Sequence, residues 1–288
     1  MSIKKKIEKI EKNVTNNKLI FGLSGAFVAA ALGLYLFSYF IVLTPKEREG
    51  LFNFGEVNHE KIEHPKKVKW SFDGMFGTFD KASAQRGYQV YKEVCSSCHS
   101  MNLVAFRNLQ ELGFTEPEVK VLASSSDYDF VNDDGDVESR PGLPSDHFKN
   151  PYPNKQAAAA ANNGKAPPDL SLMAKARHDG PNYIYSILTG YTDAPAGFEL
   201  SAGANYNPYF PGMQIAMAKP LSDAQVSYED GTKPTVEQMS HDIVNFLQWT
   251  AEPEMEYRKR MGIKALAYLA FLTVFFYIAK VRIWSRVK

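Results

Sequence analysis

A mainly α-helical domain with long loops and insertions, anchored in a membrane by apolar segments near the chain ends, is the fold class this sequence predicts. Three observations lead there. Apolar residues recur at helical spacing in separate stretches, divided by segments rich in Gly, Pro and Asn. Two long apolar runs lie near the termini. The only two cysteines of the 288 residues share one short motif, Cys95-Ser-Ser-Cys98-His99.

Residues 1–18 form a basic N-terminus with six lysines and two glutamates. Residues 19–43 are 25 residues without a charge, about 37 Å as a helix, and read as a transmembrane helix or retained signal anchor. Residues 44–260 are the expected extramembrane domain. Residues 261–281 read as a C-terminal transmembrane helix, and 282–288 as a basic tail, with Trp284 suited to the interface. Flanking Lys4, Lys5, Lys6, Lys280, Arg282 and Arg286 put both ends on the cytoplasmic side and the middle across the membrane. Between Pro45 and Tyr257 there are 19 Lys and Arg against 30 Asp and Glu. That acidic middle argues against nucleic acid as a partner.

Within the middle, a helix is expected from Lys81 through His99, with Tyr88, Tyr91 and Val94 on one face. Gly87 on that helix permits close packing. From Gln110 to Pro153 the periodicity fades, and Asp127, Asp129, Asp133, Asp134, Asp136 and Glu138 read as a long solvated insertion. A short Ala-rich helix covers Gln156–Ala161. Asp169 reads as the cap of a helix running to His178, and Pro181 opens another carrying Tyr183, Ile184, Ile187 and Leu188. Thr235-Val-Glu-Gln238 has the form of a capping box, followed by the stripe Met239, Ile243, Phe246 and Leu247.

On a helix, residues 95, 98 and 99 fall at i, i+3 and i+4 and share a face. Two thioethers can then hold the vinyl edge of a haem while the His99 imidazole reaches its iron. A zinc site needs further ligands at short spacing, and there is no second Cys-x-x-Cys or His-x-x-x-His. A thioredoxin-like pair needs no following histidine and belongs in a βαβ pattern that is absent. An electron-carrying haem takes a sixth ligand, and methionine sulfur raises its potential. Of nine methionines, Met213 and Met217 share the proline-bounded loop Pro211–Pro220, and spacing alone does not choose between them. Met173 and Met239 read as core. His59, His64, His147, His178 and His241 read as surface residues.

Several longer stretches carry a family resemblance. They are Trp70-Ser-Phe-Asp-Gly-Met-Phe-Gly-Thr-Phe-Asp80, Arg86 through Met101 around the motif, Pro167-Pro-Asp-Leu-Ser171, Ala176-Arg-His178, Leu188-Thr-Gly-Tyr191, Tyr206-Asn-Pro-Tyr-Phe-Pro-Gly212, Tyr228-Glu-Asp-Gly-Thr232, Phe246-Leu-Gln-Trp249 and Ala251-Glu-Pro253. Together they resemble cytochrome c1, the haem subunit of the cytochrome bc1 complex, over about residues 70–288. The resemblance implies a c-type cytochrome fold with one covalent haem c on Cys95 and Cys98. It implies His99 and Met217 as iron ligands, and Asn162, Pro167, Pro168, Arg177, Tyr183, Leu188 and Phe210 around the haem.

It further implies an electron-transfer subunit of a quinol–cytochrome c oxidoreductase, with no catalysis by this chain alone. Its expected partners are cytochrome b, the Rieske iron–sulfur protein and a soluble or membrane-tethered cytochrome c, in a dimeric complex. The expected location is a bacterial inner membrane, with the haem domain in the periplasm. The alternatives are a stand-alone membrane-anchored cytochrome c and, from another class, a haem gas sensor or peroxidase with an open iron site.

Overall fold

The computed structural model describes residues 62–286; the expected basic N-terminus, first apolar span and His59 lie outside them. Helix α1, Lys81–Glu93, is capped by Asp80, whose side chain accepts from the Ser83 amide. It does not run to His99 as the periodicity predicts. Val94 (φ −119°) breaks it, and one tight turn, Cys95–Ser97, follows. That turn still carries the His99 amide to the Cys95 carbonyl at 2.9 Å, so residues 95, 98 and 99 keep one helical turn's spacing.

The expected insertion is more ordered than its charge pattern indicates. A tight helical segment, Phe106–Leu112, leads to α2, Glu116–Ser124. Thr115 and Glu118 form a full capping box at the start of α2. Strands β1, Asp127–Val131, and β2, Val137–Pro141, then make an antiparallel hairpin on which all six acidic residues stay exposed. Its base is fixed by Arg140, which grips Asp146 bidentately at 2.6 and 2.9 Å.

Helix α3 is Lys155–Ala161, capped by Asn154. The helix expected from Asp169 to His178 is only the turn α4, Met173–Ala176, because the Asp169 carboxylate is engaged elsewhere. Helix α5, Gly180–Thr189, carries Pro181 in its first turn, where a missing N–H costs nothing. The short strands β3, Asn205–Tyr206, and β4, Gln214–Ile215, pair around the turn Pro211–Met213. Helix α6, Val236–Ala251, has its Thr235 cap, but the Gln238 side chain turns to Asp242 at 3.1 Å instead of closing the capping box.

Helices α1 and α6 cross to make the core, with α5 packed on α6. Tyr88, Val90 and Tyr91 of α1 meet Ile243, Phe246 and Leu247 of α6, all buried, and Phe148 and Phe106 extend this aromatic layer. Burying side chains of this size contributes on the order of 1.5–3 kcal/mol each. A charged clasp flanks the crossing. Asp242 is fully buried and accepts from Ser83 Oγ at 2.6 Å and from Arg86 Nε and Nη2 at 3.0 Å each. Arg86 also reaches Asp230 at 2.7 Å, and the hydrogen bonds it donates to Asp242 raise its already high pKa.

The extended segment before α1 straps across α5 and α6. Trp70 Nε1 donates to Asn182 at 3.0 Å, and its ring stacks on His241 with centroids 4.9 Å apart. His241 is therefore a half-buried packing residue, not the surface residue its polar neighbours imply. Met239, as expected, is core.

Helix α7, Met255–Trp284, spans 30 residues with a mean hydropathy of 1.8 in its most apolar window. Only Met255 of this helix is buried, and Leu266, Phe271, Val274 and Phe276 project outward, the pattern of a segment surrounded by lipid. Among the described residues it is the one helix long and apolar enough to cross a membrane. The junction with the domain is pinned. Glu256 accepts the Phe79 amide at 2.9 Å, and Lys259 donates to the carbonyls of Phe72 and Gly77.

Candidate haem site

Cys95 and Cys98 are free thiols, both half-buried. Burial, reinforced by the neighbouring Cys98, pushes the Cys95 thiol up to about 12, so it is held protonated. His99 Nδ1 lies 2.8 Å from the Pro168 carbonyl oxygen. A carbonyl only accepts, so Nδ1 carries the proton and Nε2 keeps its lone pair. Burial lowers the His99 pKa, outweighing the Pro168 carbonyl and Asp169, which act to raise it. The imidazole is thereby neutral and presents one free nitrogen.

The segment after His99 is stitched to the Pro168–Ser171 loop. Asp169 Oδ2 accepts from Ser100 Oγ, the Asn102 amide and Asn102 Nδ2, each at 2.9 Å, and Oδ1 accepts from the Ser171 amide at 2.8 Å. The Leu170 amide donates to the Ser100 carbonyl at 2.9 Å, and the Leu103 amide to Ser171 Oγ at 3.1 Å. Tyr91 reaches the His99 carbonyl at 3.4 Å.

Beside Cys98 opens a cleft of about 480 Å³ lined by Tyr152, Ala158, Pro167 and Pro168 among others. A cleft of equal volume, lined by Phe72, Lys175, Arg177 and Lys259, shares no lining residue with it and lies apart from the motif. Cys95, Val94, Tyr183 and Met217 all pack on the buried core that includes Leu188. The Met217 carbonyl is held by Tyr191 at 3.1 Å and Asn205 Nδ2 at 3.3 Å. Met213 differs: its backbone is left-handed (φ 57°), and its sulfur sits 3.8 Å from the Tyr206 hydroxyl.

Among the described residues, no three His, Cys, Asp or Glu side chains converge as a metal site. Two free thiols, a neutral imidazole with a free nitrogen and an adjoining apolar wall do fit thioether attachment of a haem.

A family model described as the cytochrome C1 family matches residues 70–287, most of the chain. This chain belongs to the cytochrome c1 family. It is 51% identical over 227 residues to cytochrome c1, heme protein, mitochondrial, of Saccharomyces cerevisiae, covering 78% of this chain and 74% of that one. It is 48% identical over 239 residues to cytochrome c1 of Rhodospirillum rubrum, covering 77% and 88%. A third relative, 50% identical over 227 residues, is the cytochrome b-c1 complex catalytic subunit, mitochondrial, of Candida albicans, covering 78% and 79%.

Of the cytochrome c1 positions expected from the sequence, the structure brings several together. Cys98, Pro167 and Pro168 line one cleft, and Asn162 donates to Tyr152 and to the Ala158 carbonyl on its wall, at 3.2 and 2.8 Å. Cys95, Tyr183, Leu188 and Met217 share the apolar core. Arg177 is exposed, lines the second cleft and donates to the Ala176 carbonyl at 3.2 Å, while its charge acts on the nearby Tyr183 phenol. Phe210 belongs to the methionine loop, its carbonyl accepting the Met213 amide at 2.7 Å. Residue patterning missed the clamp by Asp169 and the hold of Tyr191 and Asn205 on Met217. The signal available, an acid directly after Pro167-Pro168, reads as a helix cap; in the structure its carboxylate accepts from Ser100, Asn102 and Ser171 instead.

Proposed function

We propose that this chain is the membrane-anchored electron-transfer subunit of a quinol–cytochrome c oxidoreductase, with one haem c on Cys95 and Cys98. The observation that carries the reading is the His99–Pro168 hydrogen bond, which leaves Nε2 free one turn beyond Cys95. Bound there, haem supplies one-electron chemistry, accepting from a Rieske iron–sulfur protein and donating to a soluble or membrane-tethered c-type cytochrome. The residues of the chain position, bury and ligate.

His99 and Met217 would ligate the haem iron. Supporting Met217 over Met213 are its place on the core that also takes Cys95 and the two hydrogen bonds that fix its backbone. Asn162, Pro167, Pro168, Tyr183, Leu188 and Phe210 shape the walls, and Arg177 would pair with a haem propionate. Helix α7 and the N-terminal apolar run anchor the chain in a bacterial inner membrane, with the domain in the periplasm. The positive charges at both ends support that topology. Cytochrome b completes the enzyme, which is dimeric.

The test is co-purification. The full chain carrying an affinity tag, extracted gently from its native membrane, is expected to bring down cytochrome b and a Rieske protein with quinol–cytochrome c reductase activity. Recovery of a haem-bearing chain alone, reducible without those subunits, would replace this reading with the stand-alone carrier.

A further inference from the structure

We infer that Asp169 is a positioning residue for the proximal ligand: its carboxylate holds the Pro168 carbonyl against His99 Nδ1. The inference rests on reading His99 as the iron ligand. Asp169 is joined by one peptide bond to Pro168, the residue that accepts from His99 at 2.8 Å. Its side chain reaches back to the residues that follow His99, taking Ser100 Oγ and two nitrogens of Asn102, each at 2.9 Å. The remaining oxygen takes the Ser171 amide at 2.8 Å.

One carboxylate thus closes a ring that runs His99, Ser100, Asp169, Pro168 and back to His99. The two strands of that ring come from positions about 70 residues apart, and no helix or sheet ladder joins them. Besides the Leu170 amide on the Ser100 carbonyl and Ser171 Oγ, these side-chain bonds are what sets their spacing. Four donors on one half-buried carboxylate leave it no freedom to rotate, so the carbonyl beside it is held as well. A donor-to-carbonyl bond at Nδ1 fixes both the tautomer and the plane of a ligating imidazole and makes it a stronger electron donor to a metal.

Asparagine at 169 turns one acceptor oxygen into a donor that faces Ser100 and Asn102. The ring then opens, and the His99–Pro168 bond is made only part of the time. The experiment uses the full-length holoprotein in detergent and follows the His99 Nδ1 proton by its paramagnetically shifted resonance. In Asp169→Asn, exchange of that proton with water is expected to quicken about tenfold, the worth of roughly one hydrogen bond. The reduction potential should rise with it, as the imidazole donates less to the ferric iron.

Ser100→Ala removes one donor and leaves the negative charge in place; it should quicken exchange in the same direction by a smaller factor. It also decides the matter if Asp169→Asn does not fold. A potential that rises while exchange stays at the wild-type rate would leave Asp169 only a nearby charge and overturn the inference. Unchanged exchange in Ser100→Ala, where Asp169→Asn does not fold, would overturn it too. A wild type lacking covalent haem would instead overturn the ligand reading beneath it.

Discussion

Gly87 in α1 lies directly against the backbone carbonyl of Asp242 in α6, with no space for a Cβ between them. A methyl group there would overlap that carbonyl and stand 2.8 Å from the Phe246 Cβ. The closest approach of the two core helices is thus set by a missing side chain, and the pair between half-buried Arg86 and buried Asp242 closes beside it.

Gly87→Ala should therefore destabilise the domain despite alanine's better helix propensity, which is worth about 1 kcal/mol. Forcing α1 and α6 apart costs roughly 1–3 kcal/mol or more in overpacking and weakens the Asp242 clasp. Denaturant titration of the haem-loaded protein should show a lower midpoint than the wild type. An unchanged or raised midpoint would mean the helices can separate freely.

The stacking of His241 on Trp70 makes stability depend on pH. Burial lowers the His241 pKa, against the nearby Asp242 and Asp80, which raise it, and with Arg86, which lowers it further. The unfolded chain then binds the proton more readily than the folded one. The contribution is fully present above the unfolded histidine value near 6.5 and is lost as pH falls through it toward the lower folded value. His241→Phe, which keeps a ring on Trp70, should flatten the fall in unfolding midpoint between about pH 7.5 and 5.5. A variant as pH-sensitive as the wild type in that window would assign the dependence elsewhere.

Met217→Leu should lower the potential by removing sulfur from the iron, and should let carbon monoxide bind the reduced protein. Met213→Leu should leave the visible spectrum as it was, because that sulfur already faces Tyr206. Exchanged phenotypes would move the ligand to Met213. Rapid carbon monoxide binding by the wild type would favour the sensor or peroxidase alternative.

The hairpin β1–β2 displays Asp127, Asp129, Asp133, Asp134, Asp136 and Glu138 to solvent. Exposed charges of one sign steer an oppositely charged partner, and the effect fades as salt shortens the Debye length, about 10 Å at 0.1 M. Stopped-flow reduction of a basic cytochrome c should slow steeply with salt. Neutralising these six positions should flatten that slope; an unchanged slope would remove the hairpin from docking.

Much of this was legible in the residues because it rests on local patterns. The period of α6, the cap at Thr235, Pro181 in the first turn of α5 and the apolar run of α7 all act within a few residues of themselves. The helix break at Val94 was not legible, since helical spacing persists across it while the backbone changes geometry. Nor was the hairpin, whose strands are exposed on both faces and so show no alternation of apolar and polar residues. At the site, the motif announces two thiols and an imidazole. What orients them comes from 69 residues away, and neither the Pro168 carbonyl nor the ring through Asp169 leaves a periodic trace.

The central claim is that Cys95 and Cys98 carry a haem covalently beside His99. Intact mass of the denatured, acid–acetone-extracted full chain tests it most directly. The account predicts a mass above the polypeptide by one haem in the wild type, and the bare polypeptide when both cysteines are replaced by serine. A wild-type chain that extracts at the mass of the polypeptide alone would contradict it.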